Sequence, residues 1–304
     1  LKSKLTYHLL WALIWCWSLL PMWVLHLQSR GLAFIAHRVV RYRRKVVLDN
    51  LRKAFPEKGE PEIRAIAAAF YLNFTDVIVE VVKLASIRTE RVRDRVRLLN
   101  PEIIPEMVAH GGGGLAMFGH FTNWEWLAAG LGIQLPFPTL GVYQTLSNQA
   151  FDQVMLRLRT RHGHTMITME QTYRESIARL KQPCYIGILG DQSPARQPGM
   201  YFTRFMGRPA PCHLGIATIC LKLDVPLYHF DIRRVRRGRY EVRFVHIPHA
   251  DLLPYSKASV YALTDRHVAA LEHSIREAPS DWLWSHRRWK HQPREGDIRS
   301  PQLD

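Results

Sequence analysis

"LAMFGHFTNWEWLAAGL", residues 115–131, changes periodicity halfway along. Its first four residues form the continuous apolar run of a buried strand, and from Trp124 onward the spacing reads as a helix, with Gly119 and His120 at the junction. A strand that leads straight into a helix is the repeating unit of α/β architecture. The alternation continues downstream. "PTLGVY", "CYIGIL", "VPLYHFDI" and "YEVRFVHI" read as strands, while "NQAFDQVMLRLRTRHG", "QTYRESIARLKQ", "CHLGIATICLKL" and "SVYALTDRHVAALEHSIREA" read as helices between or after them. The expected fold is α/β: a mixed, largely parallel sheet flanked by helices, with an antiparallel pair near the end.

The junction poses a chemical question. Ligand crevices in open α/β sheets form at the carboxyl ends of strands, which is where His120 falls. A neutral imidazole there can take a proton from an alcohol while a carboxylate fixes its tautomer, and Glu125 on the first helical turn is a candidate partner. Thr122 and Glu125 also match a capping box, in which Glu125 would serve only the helix start. The spacing does not choose between these readings, because it recurs at His246 with Asp251, in a turn, and at His267 with Glu272, on different faces of one helix and expected on the surface. No Gly-x-Ser-x-Gly elbow supplies a nucleophile, so an attacking hydroxyl would belong to the substrate.

Upstream, no formally charged residue lies between Lys4 and Arg30, and "LLWALIWCWSLLPMWVLHL" is close to the roughly 20 residues that span a bilayer. Pro21, His8, His26 and the indoles of Trp11, Trp15, Trp17 and Trp23 suit a tilted or interface-embedded helix almost as well. The following "HRVVRYRRKVV" carries Arg38, Arg41, Arg43, Arg44 and Lys45, which outnumber Lys2 and Lys4 and place the main domain on the cytoplasmic face of the cytoplasmic membrane. The chain therefore divides into a membrane-spanning or interfacial helix (1–29), a basic helical lead-in (30–94) whose "EIRAIAAAFYLNFTDVIVEVVKL" starts after Pro61, and an α/β domain (95–304).

A net charge of +16 predicts attraction to polyanions. Motifs that read nucleic acid are missing, and the basic residues cluster beside apolar segments, so anionic lipid is the expected partner and nucleic acid is not. The four cysteines, Cys16, Cys184, Cys212 and Cys220, show no Cys-x-x-Cys spacing, and no His-Glu-x-x-His occurs; no metal is expected.

Four ordered blocks carry a resemblance. "GHFTNWEW", "VYQTLSNQAFDQVMLRLRTRHG", "GILGDQSPARQPGMYFTRFMGRPAP" and "PSDWLWSHRRWKHQP" resemble the successive motifs of the bacterial late acyltransferases of lipid A biosynthesis, members of the lysophospholipid acyltransferase superfamily. The resemblance implies O-acyl transfer from an acyl carrier protein or coenzyme A thioester, a co-substrate rather than a bound cofactor, to a hydroxyl of a lipid A precursor. Another glycolipid, an aminolipid or a lysophospholipid is the alternative acceptor, and a non-enzymatic binder the remote one. By match, His120 is the general base and Glu125 its partner. Asp191 and Gln192 flank the cleft, Arg159 meets phosphate or the developing oxyanion, and Asn123, Tyr143, Arg204 and Arg208 complete the substrate-binding set. Arg287, Arg288 and Lys290, alternating with tryptophans, read as structural. The pattern departs from the family's at Gln144 and Thr145 after Tyr143, and at Ser193 after Asp191-Gln192, which bears on acceptor and donor identity.

Overall fold

Residues 2–109 and 113–303 are described by a computed structural model. Helices α1 (Lys2–Ser18), α2 (Met22–Phe34), α3 (Arg44–Ala54), α4 (Glu60–Lys83) and α5 (Thr89–Arg93) come first. Then follow β1 (Val96–Leu98), α6 (Ile103–Ala109), β2 (Gly114–Phe118), α7 (Trp124–Gln134), β3 (Thr139–Tyr143), α8 (Gln149–Thr160), β4 (His164–Thr168), α9 (Thr172–Arg179) and β5 (Tyr185–Leu189). The last part holds β6 (Tyr201–Phe205), β7 (Arg208–Pro211), α10 (Gly215–Leu223), β8 (Leu227–Arg236), β9 (Arg239–Ile247), α11 (Lys257–Glu277) and β10 (Ile298–Arg299).

Strand β2 is buried along nearly all its length because it runs in the interior of a seven-stranded sheet of order β1-β9-β8-β2-β5-β3-β4. Every neighbouring pair is parallel except the β8–β9 hairpin, as the alternation predicts. Helices cover both faces. One apolar cluster joins Leu51 of α3, Phe70 of α4 and Trp126 of α7 to Tyr185 and Phe244 of the sheet, and a second packs Leu115, Ile186 and Leu227 against Ile216 and Leu263 of α10 and α11. Strands β1, β4, β6, β7 and β10 were not legible; the last three form a small separate sheet. β1 and β10 are too short for a period to emerge, and β4 (HTMIT), β6 (YFTRF) and β7 (RPAP) mix polar or proline positions into what would otherwise be an apolar run.

The N-terminal apolar stretch is corrected from one helix to two. Pro21 starts α2 after a break, and the two helices bend by 110°. The orphan carbonyls at the end of α1 are taken up: Lys83 Nζ donates to the Ser18 and Leu20 carbonyls at 2.7 and 2.9 Å, and Ser86 Oγ to Ser18 at 2.7 Å. One face of α1 docks on α8, where the Arg157 guanidinium lies 3.8 Å from the Trp11 ring centroid and Arg161 lies 5.6 Å from that of Trp15. The opposite face leaves Leu5, Leu9 and Leu13 exposed at helical spacing, and α2 leaves Trp23, Leu27 and Phe34 exposed. Helix α4 is also long and apolar enough to cross a membrane, but half of its apolar window is buried and it carries the buried acids Asp76 and Glu80.

His267, expected on the surface, is buried, because α11 packs on α10 and β8 along that side. Burial pushes His164 and His229 down to about 4, and burial with the neighbouring His229 takes His267 to about 3, all from 6.5. The unfolded chain therefore binds more protons than the folded one between those values and 6.5, and stability falls as the pH is lowered through that window. These three groups together add a slope approaching about 4 kcal/mol per pH unit. Denaturant midpoints measured across the window should drop steeply with acidification; a flat profile contradicts the burial of neutral imidazoles.

Candidate active site

The register of two parallel strands assembles the site. Phe118 of β2 lies opposite Leu189 of β5, so the residues two places on, His120 and Asp191, emerge side by side from the carboxyl end of the sheet. Glycine precedes each. A Cβ on Gly119 would stand 3.1 Å from Asp191 Oδ2 and 2.7 Å from Leu271 Cδ1, so a side chain there would press on the carboxylate beside His120.

Asp191 holds the imidazole. Its Oδ1 lies 2.7 Å from His120 Nδ1, while Oδ2 accepts the His120 backbone N–H at 2.8 Å and the Trp282 indole N–H at 2.7 Å. Burial would push this carboxyl upward, but the charge and hydrogen bonds of His120 and the bond from Trp282 outweigh it and leave Asp191 below its usual value. An ionised Asp191 can only accept, so Nδ1 donates and Nε2 keeps its lone pair. That nitrogen belongs to a partly exposed ring, with the Gln192 amide nitrogen 3.5 Å away.

Glu125, expected to partner His120, is engaged elsewhere. Arg159 Nη2 and Nε reach its carboxylate at 2.6 and 2.9 Å, and the Trp124 indole donates to it at 3.2 Å. The Trp124 ring that donates to Glu125 also stands edge-on to His120, with centroids 5.0 Å apart. Burial works against the charge of Arg159, but Glu125 more than compensates and raises the guanidinium's pKa. Arg159 is turned inward from the helix whose Arg157 and C-cap Arg161 hold α1, because positions four apart on a helix share a face while the position between them lies about 200° round.

The capping expectation is shifted by one residue. Asn123, not Thr122, caps α7: its Oδ1 accepts the Trp126 N–H at 3.0 Å. Asn123 was expected at the substrate, yet it is fully buried, with Nδ2 directed to Glu80 at 2.8 Å and Oδ1 to the Trp126 N–H, so both polar atoms are engaged inside the protein. Thr122 adopts φ 49°, an unusual conformation for a β-branched residue, and its N–H donates to the Asp281 carbonyl at 2.7 Å. Tyr143, at the end of β3, is partly exposed and feels the charge of Arg159. Arg204 and Arg208 lie on exposed positions of the small sheet, where Arg208 Nε bonds the Lys53 carbonyl at 3.3 Å; neither contacts His120 or Asp191.

The C-terminal segment supplies what the sequence reading assigned only to packing. Phe121 bridges Trp282, the Leu283 N–H donates to the His120 carbonyl at 3.0 Å, and His286 Nε2 accepts the Ser193 N–H at 3.0 Å. Burial pushes His286 down to about 4, which keeps it neutral and able to accept. Arg288 is structural: buried, it donates to the Pro211 carbonyl at 2.7 Å and stacks over Phe205 at 5.0 Å. Trp282 was visible within the quoted "PSDWLWSHRRWKHQP" block, but nothing local pointed its indole at Asp191.

Residues 2–291 match the family model described as bacterial lipid A biosynthesis acyltransferase. The chain belongs to that family. It is 24% identical over 290 residues to the lipid A biosynthesis lauroyltransferase of Escherichia coli (strain K12), covering 94% of this chain and 93% of that protein. It is 23% identical over 291 residues to the palmitoleoyltransferase of the same strain, covering 94% and 92%. A lipid A biosynthesis acyltransferase of Shigella flexneri is similar to the same degree, at 23%. The protein is thus an acyltransferase of lipid A biosynthesis.

Proposed function

We propose that this acyltransferase moves a fatty acyl chain from an acyl carrier protein or coenzyme A thioester to a hydroxyl of a lipid A precursor, with His120 as general base and Asp191 as the carboxylate that holds it. The observation that carries this reading is the 2.7 Å contact of His120 Nδ1 with Asp191, which leaves Nε2 to take a proton. His120 Nε2 accepts the hydroxyl proton as the acceptor oxygen bonds to the thioester carbonyl carbon. When the tetrahedral intermediate collapses, the C–S bond breaks and the departing thiolate takes that proton back from the imidazolium. Glu125 acts through Arg159, fixing a guanidinium whose charge suits a phosphate or the developing oxyanion. Gln192, 3.5 Å from His120 Nε2, bears on substrate position, and Tyr143 is assigned to substrate from the family resemblance.

The same reading seats the enzyme on the cytoplasmic face of the membrane. The bend between α1 and α2 favours helices lying in the interface over one continuous span, with Leu9, Leu13, Trp23 and Phe34 toward the acyl chains and Arg38, Arg41 and Lys45 among the headgroups. Replacing Leu9 and Leu13 with Asp should abolish co-sedimentation with anionic phospholipid vesicles while the protein stays folded; undiminished co-sedimentation contradicts this seating.

The function is tested by offering the purified protein thioesters of both carriers with a lipid A precursor, a lysophospholipid and an aminolipid, and weighing the products by mass spectrometry. Ester formation on the lipid A precursor alone supports the reading. Preference for another acceptor replaces it.

A further inference from the structure

Helix α4 directs two acids, one turn apart, into the interior. Asp76 is met by Ser29 and by the guanidiniums of Arg234 and Arg237. Burial works against its charge, and the bonds from Arg237 and Ser29 with the Arg234 charge bring it below its usual value. Glu80 differs. Among the described residues it makes no ion pair with Arg or Lys, although its carboxylate is fully buried. Three donors from three other elements converge on it: Asn123 Nδ2 at 2.8 Å and the Tyr240 hydroxyl on Oε2, and His26 Nε2 at 2.9 Å on Oε1. Burial raises the Tyr240 phenol well above its ordinary value, so it stays a donor. The Glu80 backbone carbonyl takes the Trp126 indole N–H at 2.8 Å.

A buried carboxylate is costly to desolvate, and an apolar residue of similar size would avoid that cost. What Glu80 adds is direction. An asparagine amide can sit either way round, and the two orientations differ in which end faces α7. With Nδ2 drawn to Glu80, Oδ1 must face the Trp126 N–H and cap α7; the flipped amide would set oxygen against carboxylate and NH2 against N–H. The first turn of α7 carries Glu125, which in turn holds Arg159. We propose that Glu80 is a positioning residue for acyl transfer, acting through the Asn123 cap and tying the lipid-facing helix α2, by way of His26, to the turn that carries the catalytic groups. The inference rests on the proposed reaction at His120.

A double-mutant cycle on the full chain tests it, with kcat and KM measured for thioester and acceptor. Glu80→Ala should lower kcat by about tenfold or more with KM within about twofold, since displacing a catalytic group by an ångström can cost about a hundredfold. Glu80→Gln should recover to within about threefold, because the Gln oxygen can accept from Asn123 and Tyr240 while its NH2 faces His26. Asn123→Ala combined with Glu80→Ala should be no slower than the slower single variant. Should Glu80→Ala fail to fold, Glu80→Asp takes its place, keeping the charge but withdrawing the carboxylate from Asn123. Unchanged kcat in Glu80→Ala or Glu80→Asp, multiplicative losses in the double variant, or a Glu80→Gln as slow as Glu80→Ala overturns the proposal. His120→Ala is run alongside: full activity there defeats the reaction scheme itself, whereas its loss with unaffected Glu80 variants defeats only this inference.

Discussion

His120→Ala lowers kcat for acyl transfer by about a thousandfold or more, with KM for the acceptor changed far less. The variant loses proton removal from the attacking hydroxyl and proton return to the thiolate, but keeps Arg159 and the substrate-binding surface, so a residual rate above the uncatalysed one remains. The measurement is steady-state ester formation from a thioester donor, with circular dichroism as the check on folding. Activity retained in full removes His120 from the chemistry, and a loss confined to KM makes it a binding residue.

Asp191→Asn lowers kcat by about a thousandfold to ten-thousandfold, the scale on which a histidine in the wrong tautomer fails as a base. The hydrogen bonds dictate the outcome. Two N–H donors, from the His120 backbone and the Trp282 indole, meet Oδ2, and one meets Oδ1. The asparagine oxygen goes where the two donors are, which turns its NH2 toward His120 Nδ1. That nitrogen must then accept, the ring proton moves to Nε2, and the base is lost although the geometry survives. Nitrogen-15 chemical shifts of the imidazole report the tautomer directly. Glu125→Gln, by contrast, releases Arg159 and leaves the His120 tautomer unchanged. A kcat within about tenfold of wild type for Asp191→Asn would mean that Asp191 is not the orienting group.

Much of the fold was legible because β2, β3 and β5 are apolar runs bounded by turns, as strands inside a parallel sheet need to be, while β9 shows the polar–apolar alternation of an antiparallel partner to β8. The N-terminal stretch misled because composition reports apolarity but not direction: Pro21 marked a break, and only the docking of α1 on α8 shows how sharp the turn is. Thr122 was read as the capping residue and Asn123 as a substrate contact, yet Asn123 is the cap. Thr122 takes φ 49° with its N–H on the carbonyl of Asp281, a contact across the fold that no local pattern announces.

By itself the sequence determined the strand–turn–helix unit and the histidine at its turn, since these depend on neighbouring residues and on periods of two and 3.6. Four ordered blocks also pointed to the family. The tertiary structure decided which carboxylate serves that histidine. Glu125 is five residues from His120 and Asp191 is seventy-one, yet the register of β2 against β5 brings the distant one into contact, and Arg159 and Trp124 claim the near one. Hydrogen bonds follow distance in space, and strand pairing sets that distance regardless of separation along the chain.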